Sequence, residues 1–175
     1  MNVKRKIILF IATSLDGYIA MENGDINWLN TVKGEGDNGF TEFYKTIDTI
    51  VMGKTTYDHV LTLAEEFPHS DRKCYVFSTS STGNDKYVEF VLGDVVMFTN
   101  NLQHQVGGDI WLVGGSGLLD QFIKEDLVDE YIITVAPMIL GKGIPLFETD
   151  NPRLRLSLRE SKQFGEFVQL HYLRK

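Results

Sequence analysis

The sequence predicts a single α/β domain over residues 1–175: a mostly parallel central sheet with helices on both faces, three layers in all, ending in an antiparallel hairpin. Three observations carry this expectation. Apolar runs of strand length alternate with helically spaced apolar residues, the order expected of β-α-β units. The early runs are continuously apolar, as in strands covered on both faces. The last segment instead alternates apolar and polar residues on either side of a glycine, the pattern of a hairpin at a sheet edge.

Taken in order, Ile7 to Ala12 is the first buried strand, followed by a polar turn from Thr13 to Gly17 and a loop to Trp28. Phe40, Phe43, Tyr44 and Ile47 have helical spacing. Thr49 to Met52 is a short buried strand ending at Gly53, and Thr55 or Thr56 is placed to cap a helix bearing Tyr57, Val60 and Leu61. Strands follow at Cys74 to Phe77 and Tyr87 to Val91. Asp94 reads as the N-cap of a helix carrying Val95, Phe98, Leu102 and Val106, ended by Gly107-Gly108. Ile110 to Val113 breaks at a glycine turn into a helix with Leu118, Leu119, Phe122 and Ile123. Tyr131 to Val135 is a strand. Leu154, Leu156 and Leu158, then Val168, Leu170 and Tyr172, form the hairpin around Gly165.

Composition narrows the function. The chain has 175 residues, 43% hydrophobic and 23% charged, enough for one sizeable core. A formal net charge of -7 argues against a nucleic-acid binder, though local lysines and amides can hold one anion. Cys74 is the only cysteine and lies in an apolar run, so it reads as a core thiol in a reducing compartment. The basic start, Met1 to Lys6, precedes a strand-length run closed by Asp16, which does not fit a signal peptide or a membrane span. A cytoplasmic protein without membrane association is expected. His59, His69, His104 and His171 have no ligand spacing, so no metal is expected. Gly115-Ser116-Gly117 does not make a nucleophile elbow.

In a sheet of this kind, ligands bind beyond the carboxyl ends of the strands. Three strand ends carry residues suited to one dinucleotide. Gly53-Lys54-Thr55-Thr56 offers a close turn, a positive charge and hydroxyls at a helix N-terminus. Ser78-Thr79 presents hydroxyls leaving a buried strand. Val113-Gly114-Gly115-Ser116-Gly117-Leu118 lets amides approach a pyrophosphate without a Cβ in the way. This run is neither the Rossmann fingerprint nor a Walker loop.

These residues resemble a known family, the reductase domain of the riboflavin-biosynthesis deaminase-reductases (the RibD C-terminal family), within the dihydrofolate-reductase-like superfamily. Four motifs carry the resemblance in order. They are Ser14-Leu15-Asp16-Gly17-Tyr18-Ile19-Ala20, then Ile47-Asp48 through Met52-Gly53-Lys54-Thr55-Thr56-Tyr57, then Trp111 to Gly117, and last Val128-Asp129-Glu130-Tyr131 through Ala136-Pro137 to Phe147. The resemblance implies a stand-alone domain of dihydrofolate-reductase-like fold, commonly a homodimer, using NADPH. It implies that Lys54 and Ser78 take the 2′-phosphate, that Thr55 and Thr56 lie beside the pyrophosphate, and that Gly114, Gly115 and Ser116 form the glycine turn. Ala12, Ile19 and Ala20 would lie along the nicotinamide.

The implied activity is hydride transfer to a small heterocyclic or ribosylamino-type substrate, most like 5-amino-6-(5-phosphoribosylamino)uracil. The alternatives are dihydrofolate reduction and NADPH binding without turnover. Asp16, by its place in the opening motif, is the first candidate to hold a substrate hydroxyl or donate a proton, with Glu42 the second. Trp28, Arg72 and Gly143 are candidates on the substrate side, and Gly141 with Gly143 is expected to shape the pocket wall. Arg72 matches the arginine that clamps the glutamate tail of folate, whereas Trp28-Leu29-Asn30-Thr31-Val32-Lys33 lacks the acidic residue of folate enzymes. Relative to the riboflavin-pathway pattern, Tyr18 replaces a lysine, and Asp58-His59-Val60-Leu61 replaces an Asp-Asn-Pro segment. The zinc-deaminase motifs are absent from the sequence.

Overall fold

Strand β1 (Ile7–Ser14) shows why the early runs are apolar throughout. Successive side chains of a strand point to opposite faces. Ile7 and Leu9 accordingly enter one core cluster and Ile8 the other. The computed structural model describes residues 4–175, so the first three residues of the basic start lie outside it.

The chain continues through β2 (Tyr18–Ala20), a 3-10 turn at Asn27–Thr31, α1 (Phe40–Tyr44), β3 (Ile47–Gly53) and α2 (Lys54–Leu63). Next come β4 (Lys73–Phe77), β5 (Gly83–Asn84), β6 (Val88–Val91), α3 (Val95–Gln103), β7 (Asp109–Gly114) and α4 (Ser116–Lys124). The last elements are β8 (Glu130–Ala136), β9 (Ile144–Pro145), β10 (Leu156–Phe164) and β11 (Phe167–Arg174). Nine strands form one sheet in the order β10-β11-β8-β1-β7-β3-β4-β6-β5. From β8 to β6 all neighbours are parallel, whereas β11 joins β8 antiparallel and β10 completes the hairpin. A separate two-stranded pairing joins β2 to β9.

The helices divide between the faces as right-handed crossovers require. Phe43 of α1 and Tyr57 of α2 pack with Ile8, Ile50, Met52 and Trp111. Val95 and Leu102 of α3, with Leu118, Leu119 and Phe122 of α4, pack against Ile7, Leu9, Val51 and Leu112 on the opposite face. Cys74 is buried in the first of these clusters, and burial pushes its thiol up to about 12.

Several local expectations need correction. Ile47 belongs to β3, because α1 closes at Tyr44 and Ile47 pairs with Asp109 of β7. Neither Thr55 nor Thr56 caps α2. The N-cap is Gly53 in extended backbone, since β3 runs into the helix without a linker. Asp94 does cap α3, accepting from the amides of Val96 (2.7 Å) and Met97 (2.9 Å), but the helix stops before Val106, which is exposed. Leu154 precedes β10 rather than lying in it.

Gly107 and Gly108 are not left-handed caps either; neither has positive φ. Gly107 leaves room for a buried arginine at the amino end of the sheet, and Gly108 lets the chain pass close to the backbone at Thr46 and Asp48. Arg5 is 5% exposed; its Nε donates to the Gly108 carbonyl (2.6 Å) and its Nη2 to Thr49 Oγ1 (2.7 Å) and Asp48. Asp48 accepts in turn from the Gly108 amide (2.7 Å). This network ties together the starts of β1, β3 and β7. A Cβ at Gly108 would stand 2.9 Å from the Thr46 carbonyl oxygen, which is backbone and cannot swing aside. Gly108→Ala is expected to destabilise the fold by about 1–3 kcal/mol through overpacking. Urea denaturation checks this; an unchanged midpoint would mean the backbone relaxes freely there.

Candidate functional site

Two turns meet where β3 and β7 end side by side. The chain leaving Gly53 enters α2 on one face of the sheet, and the chain leaving Gly114 enters α4 on the other, so a crevice opens between them. The β7 turn requires glycine: φ is 109° at Gly114 and 60° at Gly115, backbone that residues with a Cβ rarely adopt. The contact is close as well. A Cβ on Gly115 would lie 3.2 Å from Thr56 Oγ1, and one on Gly53 would lie 3.7 Å from the Gly114 carbonyl oxygen.

Among the described residues no side chain caps the N-terminus of α2 or of α4, in contrast to Asp94 on α3. The first-turn amides of both helices and the positive ends of both dipoles therefore face the same crevice without an internal anion, an arrangement that favours a bound phosphate. Lys54 is at the crevice edge, ion-paired with Asp58 one turn on, with its side chain 38% exposed. Across the pairing of Gly53 with Phe77, Ser78 follows directly. Its Oγ accepts from the amides of Ser80 (3.2 Å) and Ser81 (2.9 Å), which leaves its hydroxyl hydrogen to donate. Thr79 is exposed, and Val113 and Ser116 are half-buried. Leu118 is in the core, so only its backbone is available to a ligand. Gly117 has open space where a Cβ would lie.

A second feature lies at the ends of β1 and β8. Ala12 is half-buried on β1, and Ile19 and Ala20 are on β2, which pairs with β9. Gly143 passes so close to β2 that a Cβ would collide with the Ala20 carbonyl oxygen. Asp16 lies in the turn between β1 and β2 and accepts hydrogen bonds from Ser14 Oγ (2.6 Å), the Leu140 amide (3.1 Å) and the Gly141 amide (2.8 Å). The Ser14 hydroxyl, then the two amides, hold its carboxyl below the usual carboxylate range. Trp28, 8% exposed, packs with Ala136 and Phe167, and its indole N–H has no partner among the described residues. Ser14 and Leu140 were given no role of their own beyond their motifs, and Gly141 was expected to shape the pocket wall rather than to donate to Asp16.

Glu42 and Arg72 do not join these residues. Arg72 precedes β4, at the opposite end of that strand from Ser78. Its Nη1 donates to Asp71 (2.7 Å), its Nη2 to the Tyr44 carbonyl (3.3 Å), and its guanidinium lies 4.4 Å from the centre of the Tyr44 ring. Glu42 is exposed on α1. It borders a groove of about 780 Å³ that runs over the amino halves of β1 and β8, with Lys6, Ile8, Glu130 and His171 in its lining. No group of three or more His, Cys, Asp or Glu among the described residues is placed to hold a metal. No described helix is long and apolar enough to cross a membrane.

The strand order and the divergence of α2 and α4 define a dihydrofolate-reductase-like α/β fold. A dihydrofolate reductase from Enterococcus faecalis, complexed with NADP(H), shares that fold with a TM-score of 0.68 at 18% identity, covering 99% of both chains. The sequence matches the model of the RibD C-terminal domain over residues 5–170, and the chain belongs to that family. YwjB of Bacillus subtilis (strain 168) is 48% identical over 173 residues, covering 98% of this chain and 99% of YwjB. A protein of Shewanella sp. PV-4 named for riboflavin biosynthesis superposes with a TM-score of 0.89 at 34% identity, over 97% of this chain and 99% of that one.

Glu130, on the groove floor, gives a pH-dependent expectation. Burial alone would raise its carboxyl, but hydrogen bonds from Lys6 Nζ (2.6 Å) and His171 Nε2 (2.7 Å) outweigh that and hold it below its ordinary value. A group whose pKa is lowered on folding adds stability above its unfolded value, about 4.3 for glutamate, and loses it as pH falls through the folded value. Glu130→Gln is expected to flatten the acid decline in unfolding free energy below about pH 4. Equal declines in the two proteins, measured by urea unfolding across the acid range, would remove Glu130 from the account.

Proposed function

We propose that the chain is an NADPH-dependent reductase that transfers a hydride to a small heterocyclic or ribosylamino-type substrate, most like 5-amino-6-(5-phosphoribosylamino)uracil. The observation that carries this reading is the crevice between β3 and β7, where two uncapped helix N-termini meet across a glycine turn. That cradle fits a pyrophosphate. Lys54 and Ser78 border it on the side where an extra ribose phosphate would lie; Thr55, Thr56, Gly53, Gly115, Ser116 and Gly117 supply amides and hydroxyls.

When bound, the reduced nicotinamide supplies the hydride. The residues of the chain orient it and keep water away. Ala12, Ile19 and Ala20 are the surface for the nicotinamide ring. Trp28, with its unpartnered indole N–H, and Gly143 border the space proposed for substrate. Reduction of dihydrofolate is the weaker reading, because Arg72 already spends its guanidinium on Asp71 and Tyr44. A cytoplasmic homodimer, without nucleic acid or membrane as partner, is the corresponding assembly.

Titration with NADPH and NADH in parallel, followed by cofactor fluorescence, tests the reading. NADPH is expected to bind at least tenfold tighter, about 1.4 kcal/mol. Lys54→Ala should erase that preference, because it removes the charge proposed to face the extra phosphate and leaves the Asp58 carboxylate unpaired beside it. Gly115→Ala should weaken both dinucleotides alike, since its Cβ would crowd Thr56 from a left-handed backbone. If neither dinucleotide binds, the family fold is retained here for another purpose.

A further inference from the structure

Asp16 was expected at the reacting centre, as a possible proton donor. Its surroundings argue for a different task. Oδ1 accepts from Ser14 Oγ (2.6 Å) and the Leu140 amide (3.1 Å), while Oδ2 accepts from the Gly141 amide (2.8 Å). Ser14 Oγ accepts in turn from the Tyr18 amide (2.9 Å). Both carboxylate oxygens are thus engaged by groups of the chain itself. A carboxylate receiving three donors is stabilised as the anion, which makes it a poor acid.

The bonds it makes cross between two loops. One loop follows β1 and carries β2; the other follows β8 and carries β9. Their backbones are joined by Leu15 to the Met138 carbonyl (2.8 Å) and by Leu146 to the Gly17 carbonyl (2.8 Å). The β2–β9 pairing, with Tyr18 opposite Pro145 and Ala20 opposite Ile144, makes a third joint. Glycine conformations permit the approach: φ is 88° at Gly17 and 76° at Gly141. Gly143 then allows β9 to pass against Ala20. Among the side-chain hydrogen bonds of the described residues, those of Asp16 tie the β1–β2 turn to the backbone at Leu140 and Gly141.

We propose that Asp16 is a positioning residue: its carboxylate clasps the loop after β8 to the loop after β1 and so sets β2, with Ile19 and Ala20, at the height where the nicotinamide half of the cofactor lies. This rests on the NADPH reading above. It moves the source of any transferred proton away from Asp16. It also divides the cofactor site into two parts, the phosphate crevice between β3 and β7 and the clasped loops at β1 and β8.

The test uses two probes and two variants. Adenosine 2′,5′-bisphosphate reaches the adenosine end of the site but has no nicotinamide; NADPH has both. Asp16→Ala is expected to weaken NADPH about tenfold, the order for losing two net hydrogen bonds, while adenosine 2′,5′-bisphosphate binds as before. Asp16→Asn keeps one acceptor oxygen but turns an N–H toward one of the two amides, so its loss should be smaller. Unchanged NADPH affinity in both variants would overturn the proposal, and so would an equal loss for both probes, which marks a general structural role. Amide hydrogen exchange decides the clasp without any cofactor. Leu140 and Gly141 should exchange faster in Asp16→Ala, while β3 and β7 exchange as in the unaltered chain; protection retained at Leu140 and Gly141 would sink the clasp. If the unaltered chain binds no NADPH but the exchange result holds, the clasp stands and only the cofactor reading fails.

Discussion

Strand β7 is made late in the chain, yet it lies between β1 and β3. That insertion is the constraint on which the candidate site depends. A parallel strand entering from the far side must be reached and left by crossovers on the face opposite those already used, given right-handed connections. Hence α3 and α4 cover the face that α1 and α2 leave free. Two neighbouring strand ends then send their chains in opposite directions, and an opening between helix N-termini follows from topology. The glycines at 114 and 115 are a local response to that topology. They let the backbone reverse beside Thr56 without forcing β3 and β7 apart.

The amino end of the sheet solves the complementary problem. There the strands must be held in register without a ligand to organise them. Arg5 does so from inside, bonded to Gly108, Thr49 and Asp48, with glycine at 107 leaving it room. A buried guanidinium is tolerated only when its donors are matched, and here carbonyl, hydroxyl and carboxylate oxygens match them. The molecule thus keeps a polar lock at one edge of the sheet and an open, amide-lined crevice at the other.

Much of this was legible in the residues, for identifiable reasons. Strands covered on both faces are apolar through their central positions, so β1, β3, β4, β7 and β8 announce themselves. The switch to alternation at Leu156 and Val168 marks the hairpin, where one face is wet. The glycine turn is legible from Gly114 and Gly115, whose left-handed backbone disfavours a Cβ. The elements that escaped are those set by partners distant in sequence. β2 and β9 are two or three residues long and exist only because each pairs with the other. Gly107 and Gly108 resemble a helix end in sequence, and only their close contacts with Arg5, Asp48 and Thr46 explain them. Arg72 and Glu42 were chosen by alignment with a motif or by residue type. Position along the chain does not say which end of a strand faces the crevice. Asp16 could be singled out by its motif, but two of its three donors, the Leu140 and Gly141 amides, come from residues whose proximity only the tertiary structure supplies.

Cys74 has a practical consequence. It is 2% exposed, and burial pushes its thiol up to about 12. At neutral pH the thiolate, the form that reacts with alkylating agents and oxidants, is therefore a minor form of a group that reagents scarcely reach. With no second cysteine in the sequence, the native chain behaves chemically as though it had none. A single cysteine introduced on the exposed rim of the clasped loops, at Leu15 or Ile139, becomes the one reactive thiol of the molecule, ready to carry a fluorophore or spin label without any prior deletion.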